Sequence, residues 1–128
     1  MGIVNLRYIN EILGRRKEQY LRYETNLKDC GLDFITITVH AEFNYAYCPV
    51  IFKSEEDLLR ALQLLNEHQI NPRRYFYPSL NKLEYLHIHQ SCPIAESVSS
   101  RIMCLPVYHD LELADIDKVC SLIKKAMS

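Results

Sequence analysis

The sequence holds 128 residues, a length at which one core ordinarily forms, so a single domain over 1–128 is expected. Hydrophobic residues make up 48% and charged residues 24%, which argues against disorder, a collagen-like repeat or a coiled coil. Fifteen basic and sixteen acidic side chains leave a formal net charge of -1, so no broad positive field exists to attract nucleic acid or an anionic membrane.

From Ile3 to about Lys28 the apolar residues Leu6, Ile9, Leu13, Tyr20, Tyr23 and Leu27 recur at helical spacing and predict one long amphipathic helix. Gly14 weakens that helix locally by roughly 1 kcal/mol relative to alanine, and Arg15, Arg16 and Lys17 interrupt the stripe, so a bend is expected there. Gly31 supplies a stop, and the β-branched run Asp33 to Val39 predicts a strand. Phe43 to Phe52 predicts a second strand paired with the first, with Pro49 pointing to an edge or a bulge.

Ser54 followed by Glu55, Glu56 and Asp57 reads as a cap with acids in the positive first turn. Leu58, Leu59, Leu62 and Leu65 supply the buried face of a helix to about His68. Pro72 closes it, Arg74 to Tyr77 reads as extended, and Pro78 to Asn81 turns the chain. Residues 84–92 are polar and aperiodic, a loop. Pro93 then stands at the first position of a short helix to about Ser99. Ile102 to Leu105 predicts a buried strand ended by Pro106, and a last helix from about Glu112 to Met127 buries Ile116, Val119, Cys120 and Ile123. The fold class expected is α/β in two layers: a small, mainly antiparallel sheet with helices packed mainly on one face. No repeat or low-complexity linker interrupts the chain.

Five cysteines, Cys30, Cys48, Cys92, Cys104 and Cys120, are scattered, odd in number and form no CxxC pair. Neither a disulfide framework nor a zinc ribbon is written there, and a reducing cytoplasm is the expected compartment. The opening segment carries charges throughout, unlike a secretory signal, and no stretch is long enough to span a bilayer. No cysteine sits beside a cationic cluster that would favour a thiolate nucleophile, so buried structural thiols are expected, above all Cys104 and Cys120.

Three glycines in all leave no GxGxxG and no P-loop. His87, His89 and Cys92 carry metal-competent atoms but lack a fourth ligand at a recognised spacing, so no metal is expected. Arg15 to Lys17 and the pair Arg73 and Arg74 read as solvated surface, with phosphate contact as the alternative. Side chains alternate along an extended segment, which places Tyr75 and Tyr77 on one side and Phe76 toward the core. The phenols fit plain sheet aromatics or a ligand site. Pro78 stiffens a turn that presents Ser79, Asn81 and Lys82, hydrogen-bonding groups of a kind that suits a sugar.

The run Asn71-Pro-Arg-Arg-Tyr-Phe-Tyr-Pro-Ser-Leu-Asn-Lys-Leu83, followed by Cys92-Pro-Ile-Ala-Glu-Ser-Val-Ser-Ser-Arg-Ile-Met-Cys-Leu-Pro-Val-Tyr108, resembles the C-terminal part of the DegT/DnrJ/EryC1/StrS aminotransferase family. Asn5 to Lys17 is similar to the long helix leaving that family's large domain, and Leu111 to Ile123 to its closing helix. YFYPSLN is similar to the branch making 4-amino-4,6-dideoxy sugars on dTDP. The resemblance implies a C-terminal domain of a pyridoxal 5'-phosphate enzyme that moves an amino group from a donor such as glutamate to a keto-sugar nucleotide. It also implies that Arg74, Tyr75, Tyr77, Ser79 and Asn81 wall the sugar pocket. Many family members carry histidine where Asn81 stands, and asparagine can only hydrogen-bond there.

In that family a large domain supplies the Schiff-base lysine, the phosphate clamp and the acid facing the pyridine nitrogen. The 128 residues contain none of these motifs, so the chain alone is expected to bind no cofactor and to be catalytically silent. The large domain is then its main partner, and an apolar stripe at Leu6, Ile9 and Leu13 is expected to pair copies of the chain. A sugar-binding or interaction module without chemistry, or an unrelated α/β binding domain, are the alternatives.

Overall fold

In the computed structural model, which describes residues 2–86 and 90–128, five helices cover a three-stranded antiparallel sheet. The helical arm expected over 3–28 is present as two pieces, α1 (Gly2–Arg7) and α2 (Ile9–Leu27). The break falls at Tyr8, with φ -111° and ψ 11°, and not at Gly14, which lies inside α2 with open space around its Cα. Gly31 takes φ +68° after a turn of 3₁₀ helix over Lys28–Cys30, a left-handed conformation that side-chain-bearing residues avoid.

Strand β1 is only Asp33–Phe34, and β2 is Cys48–Ile51, with Asp33 opposite Ile51 and Phe34 opposite Val50. Both are shorter than the composition predicts, because residues 35–47 make no ladder with any other strand among the described residues. Their apolar side chains reach the core another way: Phe34, Phe43 and Tyr45 pack edge-on around Tyr20 at ring separations of 6.0, 5.4 and 5.5 Å. Edge-to-face geometry of this kind aligns the positive rim of one ring with the negative face of the next.

Strand β3 (Ile102–Leu105) pairs with β2 along its whole length, Cys48 opposite Leu105 through Ile51 opposite Ile102. Pro49 therefore lies in the central strand. It is tolerated because Cys104, its opposite, directs its own N–H and C=O outward to Arg73 at 2.8 and 3.2 Å. That leaves the Pro49 nitrogen facing the side where pairing with β1 has already ended at Phe34.

Cys48, Val50, Met103 and Leu105 are buried while their strand neighbours Pro49, Ile51, Ile102 and Cys104 are half-buried. One sheet face thus carries the core, as the two-layer expectation requires. Over it α5 (Leu113–Met127) packs between α2 and α3 (Glu55–Glu67). Ser54 caps α3, its hydroxyl accepting from the Asp57 N–H at 3.1 Å. Leu58, Ala61 and Leu65 are the buried positions, whereas Leu59, expected in the core, is exposed. The helix ends without glycine: Gln69 adopts φ +62°, and the N–H groups of Gln69 and Ile70 return to the carbonyls of Asn66 and Leu65 at 2.9 and 3.0 Å. This is a Schellman closure. Helix α4 (Pro93–Arg101) begins at Pro93 as expected and runs straight into β3.

Candidate functional site

The segment Arg73 to Lys82 forms a lip on the outer side of the sheet. Only Arg73 joins the sheet, through its bridge to Cys104. Tyr75 and Phe76 lie in a turn, so the alternation expected of an extended run does not apply. Phe76, expected in the core, is 70% exposed and Tyr77 is 51% exposed. The Tyr77-Pro78 peptide bond is cis, and Leu80–Lys82 closes the lip as a 3₁₀ turn.

Both ends of the lip are tied to the body by charge-assisted hydrogen bonds. At the first end, Arg74 Nη2 donates to Glu55 Oε1 at 2.9 Å and to the Ser100 carbonyl at 3.0 Å. Its guanidinium also lies 3.8 Å from the centre of the Tyr77 ring, a cation–π contact that orients the phenol. Arg74 is thus neutralised and largely covered, and its Nε is buried without a partner among the described residues.

At the second end, Ser79 Oγ donates to Asn81 Oδ1 at 2.7 Å, and Asn81 Nδ2 donates to the Gln90 carbonyl at 2.9 Å and to Glu96 Oε1 at 2.7 Å. Glu96 also accepts the Cys92 N–H at 2.9 Å and pairs with Lys82 at 3.1 Å. The Cys92 N–H, followed by Asn81 and Lys82, holds the Glu96 carboxyl down at about 2, because each donor favours the charged form. The carboxylate so formed sits on the first turn of α4, where the helix dipole favours negative charge.

Of the five side chains named as sugar contacts, Arg74 stacks on Tyr77, and Ser79 hydrogen-bonds Asn81. Tyr75 stands apart, accepting from Arg73 Nη1 at 2.8 Å. Ser79 is buried, and the donors of Asn81 are engaged within the chain, so Phe76, Tyr77 and Leu80 are the large apolar side chains the lip offers to solvent. Glu55 and Glu96, which hold it, were not singled out by sequence. A glutamate one turn into a helix opened by Pro93 is a visible signal for the second, whereas the first is marked only as an acid in the first turn of α3.

Burial raises the Cys48 thiol far above its ordinary range and the Cys120 thiol to about 11. These behave as structural thiols. Cys120 is buried as expected, Cys104 is only half-buried, and Cys48 is buried as well. His87 and His89 lie outside the described residues, and among the described residues no group of three metal-competent side chains converges. All seven lysines, Lys17, Lys28, Lys53, Lys82, Lys118, Lys124 and Lys125, are solvent-exposed. No helix among the described residues is long and apolar enough to cross a membrane.

Residues 1–124 match the model of the DegT/DnrJ/EryC1/StrS aminotransferase family. A dTDP-4-amino-4,6-dideoxy-D-glucose transaminase of Escherichia coli is 28% identical over 130 residues, covering 95% of this chain and 35% of that protein. A protein of the same description from Shigella dysenteriae is 26% identical, covering 97% and 35%. Among solved structures, the aminotransferase TlmJ of Streptoalloteichus hindustanus matches with a TM-score of 0.88 at 22% identity, over 98% of this chain and 34% of that one. DesI in the presence of its TDP-sugar product matches at 0.89 and 22%, over 99% and 34%. The chain spans about a third of the length of the relatives it matches and corresponds to their C-terminal part.

Proposed function

Because the chain belongs to the DegT/DnrJ/EryC1/StrS aminotransferase family, we propose that it is the small domain of a sugar-nucleotide aminotransferase. In this reading the lip closes over a dTDP-linked keto sugar held largely by the remainder of the enzyme. The observation that carries it is the lip itself: Phe76, Tyr77 and Leu80 are exposed on a turn whose two ends are pinned by Arg74 and by the Asn81–Glu96 pair. Exposed aromatics normally cost solvation without return. Held rigid, they supply contact area to a ligand at little entropic cost. Tyr77 is the side chain that touches the sugar. Arg74, Ser79 and Asn81 act behind it, with Tyr75 at the flank.

The cofactor belongs to the part of the enzyme that carries the lysine, and these 128 residues by themselves transfer no amino group. Two copies of the chain pair through the apolar face of α1 and the start of α2. The second reading, a sugar-binding module without chemistry, draws on the exposure of every lysine.

Two measurements test the first reading. The purified chain mixed with pyridoxal phosphate should give no Schiff-base absorption band; a band lost on borohydride treatment would place an anchoring lysine within these residues. In the enzyme that includes the lysine-bearing domain, Tyr77→Phe should remove one hydrogen bond to the sugar, about 0.5–1.5 kcal/mol in kcat/KM for the sugar nucleotide, with the amino donor unaffected. Unchanged kinetics with both substrates would take Tyr77 out of the site. Absence of any transamination in that enzyme would favour the module.

A further inference from the structure

The lip is fixed at its ends but not beneath. Between it and α4 lies a hollow of about 390 Å³, bordered by Phe76 and Leu80 from the lip and by Ala95, Val98 and Ile102 from the body. Phe76 and Leu80 are 70% and 60% exposed, so packing among the described residues does not set how far the lip stands from the helix. Such a gap tends to close, because apolar side chains on its two walls leave water and gain contacts when they meet. A polar tie has to hold the walls apart.

The backbone of the lip does not supply it. The N–H groups of Lys82 and Leu83 donate to the Ser79 and Leu80 carbonyls at 2.8 and 3.2 Å, which shapes the 3₁₀ turn and binds it to nothing outside itself. The side chains do: Asn81 Nδ2 donates to Glu96 Oε1 at 2.7 Å and to the Gln90 carbonyl at 2.9 Å, and Lys82 pairs with Glu96 Oε2 at 3.1 Å. Ser79 Oγ, donating to Asn81 Oδ1 at 2.7 Å, fixes the amide so that its nitrogen is the end turned toward Glu96. Gln90 precedes α4, whereas Glu96 stands on the helix. Among the described residues, the bonds to Glu96 are therefore the ones that set the distance from lip to helix. The carboxylate is itself anchored, since Oε1 also accepts the Cys92 N–H at 2.9 Å.

We propose that Glu96 is a positioning residue: acting through Asn81, it holds the lip off α4 and so keeps Tyr77 where a ligand can meet it. Without that carboxylate, Leu80 and Phe76 settle onto Val98 and Ile102 and draw the phenol away. The consequence for the sugar rests on the preceding reading, whereas the hold on the lip does not.

The test compares Glu96→Ala, Glu96→Gln and Asn81→Ala with the native chain by amide hydrogen exchange and by nuclear Overhauser contacts, with melting curves to confirm that each folds. Glu96→Ala should speed exchange at Lys82 and Leu83 by about tenfold while leaving the amides of α5 unchanged, and it should bring Leu80 into contact with Val98. The Cys92 and Asn81 bonds both end on Oε1, so the amide oxygen in Glu96→Gln can accept them and should restore slow exchange, with the Lys82 pair alone lost. Asn81→Ala spares the Cys92 bond at the helix start and should disturb the lip at least as much as Glu96→Ala. Unchanged exchange in Glu96→Ala, no recovery in Glu96→Gln, or a lip undisturbed by Asn81→Ala would each overturn the proposal. The last would mean that Glu96 serves the start of α4 and nothing more.

In the enzyme that includes the lysine-bearing domain, Glu96→Ala should raise KM for the sugar nucleotide by about fivefold with kcat held within about twofold, and Glu96→Gln should recover most of the loss. A disturbed lip with unchanged KM would keep Glu96 as the residue that sets the lip and would remove the sugar from it. An undisturbed lip together with altered Tyr77→Phe kinetics would do the reverse.

Discussion

Between Gly2 and Arg16 the apolar side chains of α1 and α2 stand largely in solvent, Ile3 at 77% and Leu6 at 66% exposure, whereas from Gln19 to Leu27 the inward face of α2 is buried against α5 and the sheet. The heptad-like spacing of Leu6, Leu13, Tyr20 and Leu27 continues through both halves. What differs is the neighbour. In the second half Tyr23 fills the core and its hydroxyl donates to the Pro106 carbonyl at 3.1 Å. Arg22 meets Asp117 through paired bonds of 2.8 and 2.7 Å, and Asn26 joins the same carboxylate at 2.7 Å. Periodicity therefore identifies a face that needs cover; it does not say what covers it.

The largest expected effect on that contrast is from Tyr23→Ala. Emptying a fully buried aromatic site should cost about 3–5 kcal/mol in the free energy of unfolding, measured by urea titration. A loss below 1 kcal/mol would mean that the second half of α2 is not the anchored one.

Gln19→Ala should come next. Gln19 Nε2 donates to the Tyr108 and Leu111 carbonyls at 2.8 and 2.9 Å, and leaving those acceptors unpaired should cost about 1–3 kcal/mol by the same titration.

A smaller effect concerns acid. Arg22 holds the exposed Asp117 carboxyl below its ordinary value of 3.8, so its folded-state pKa is depressed relative to the unfolded chain. The stability it contributes is present in full above about pH 4 and is lost as the pH falls through the lower folded value. Asp117→Asn should flatten this part of the acid limb of a melting-temperature profile. A limb of unchanged shape would show that the pair contributes nothing.

The smallest effect on folding, and the sharpest test of the uncovered half, is expected for Leu6→Lys combined with Ile9→Lys. Unfolding free energy should stay within about 0.5 kcal/mol, while concentration-dependent self-association, followed by sedimentation, should disappear. A native chain that sediments as a monomer at all concentrations would end the pairing proposal.

Local signals read well wherever the deciding groups are close in sequence. The Ser54 cap, the Pro93 start, the four residues of β3 and the buried face of α5 all follow from short-range patterning and stand in the structure as expected. The sequence pattern extends β1 and β2 beyond their observed ends because strand length is set by the partner, and residues 35–47 have none among the described residues. Phe76 was assigned to the core because alternation presumes a ladder that stops at Arg73. The end of α3 was read from Pro72, whereas Gln69 in a left-handed conformation ends it two residues after the last helical one.

Composition and order alone determined which faces are apolar, where the helices opened by Ser54 and Pro93 begin, and that the lip carries phenols, amides and two arginines in a row. Which arginine is neutralised and which is left open was decided only by the fold. Glu55 is nineteen residues from Arg74, and Glu96 is fifteen from Asn81. Pairing over such distances depends on where α3 and α4 settle against the sheet, and a hydrogen bond exists only when packing brings donor and acceptor within about 3 Å.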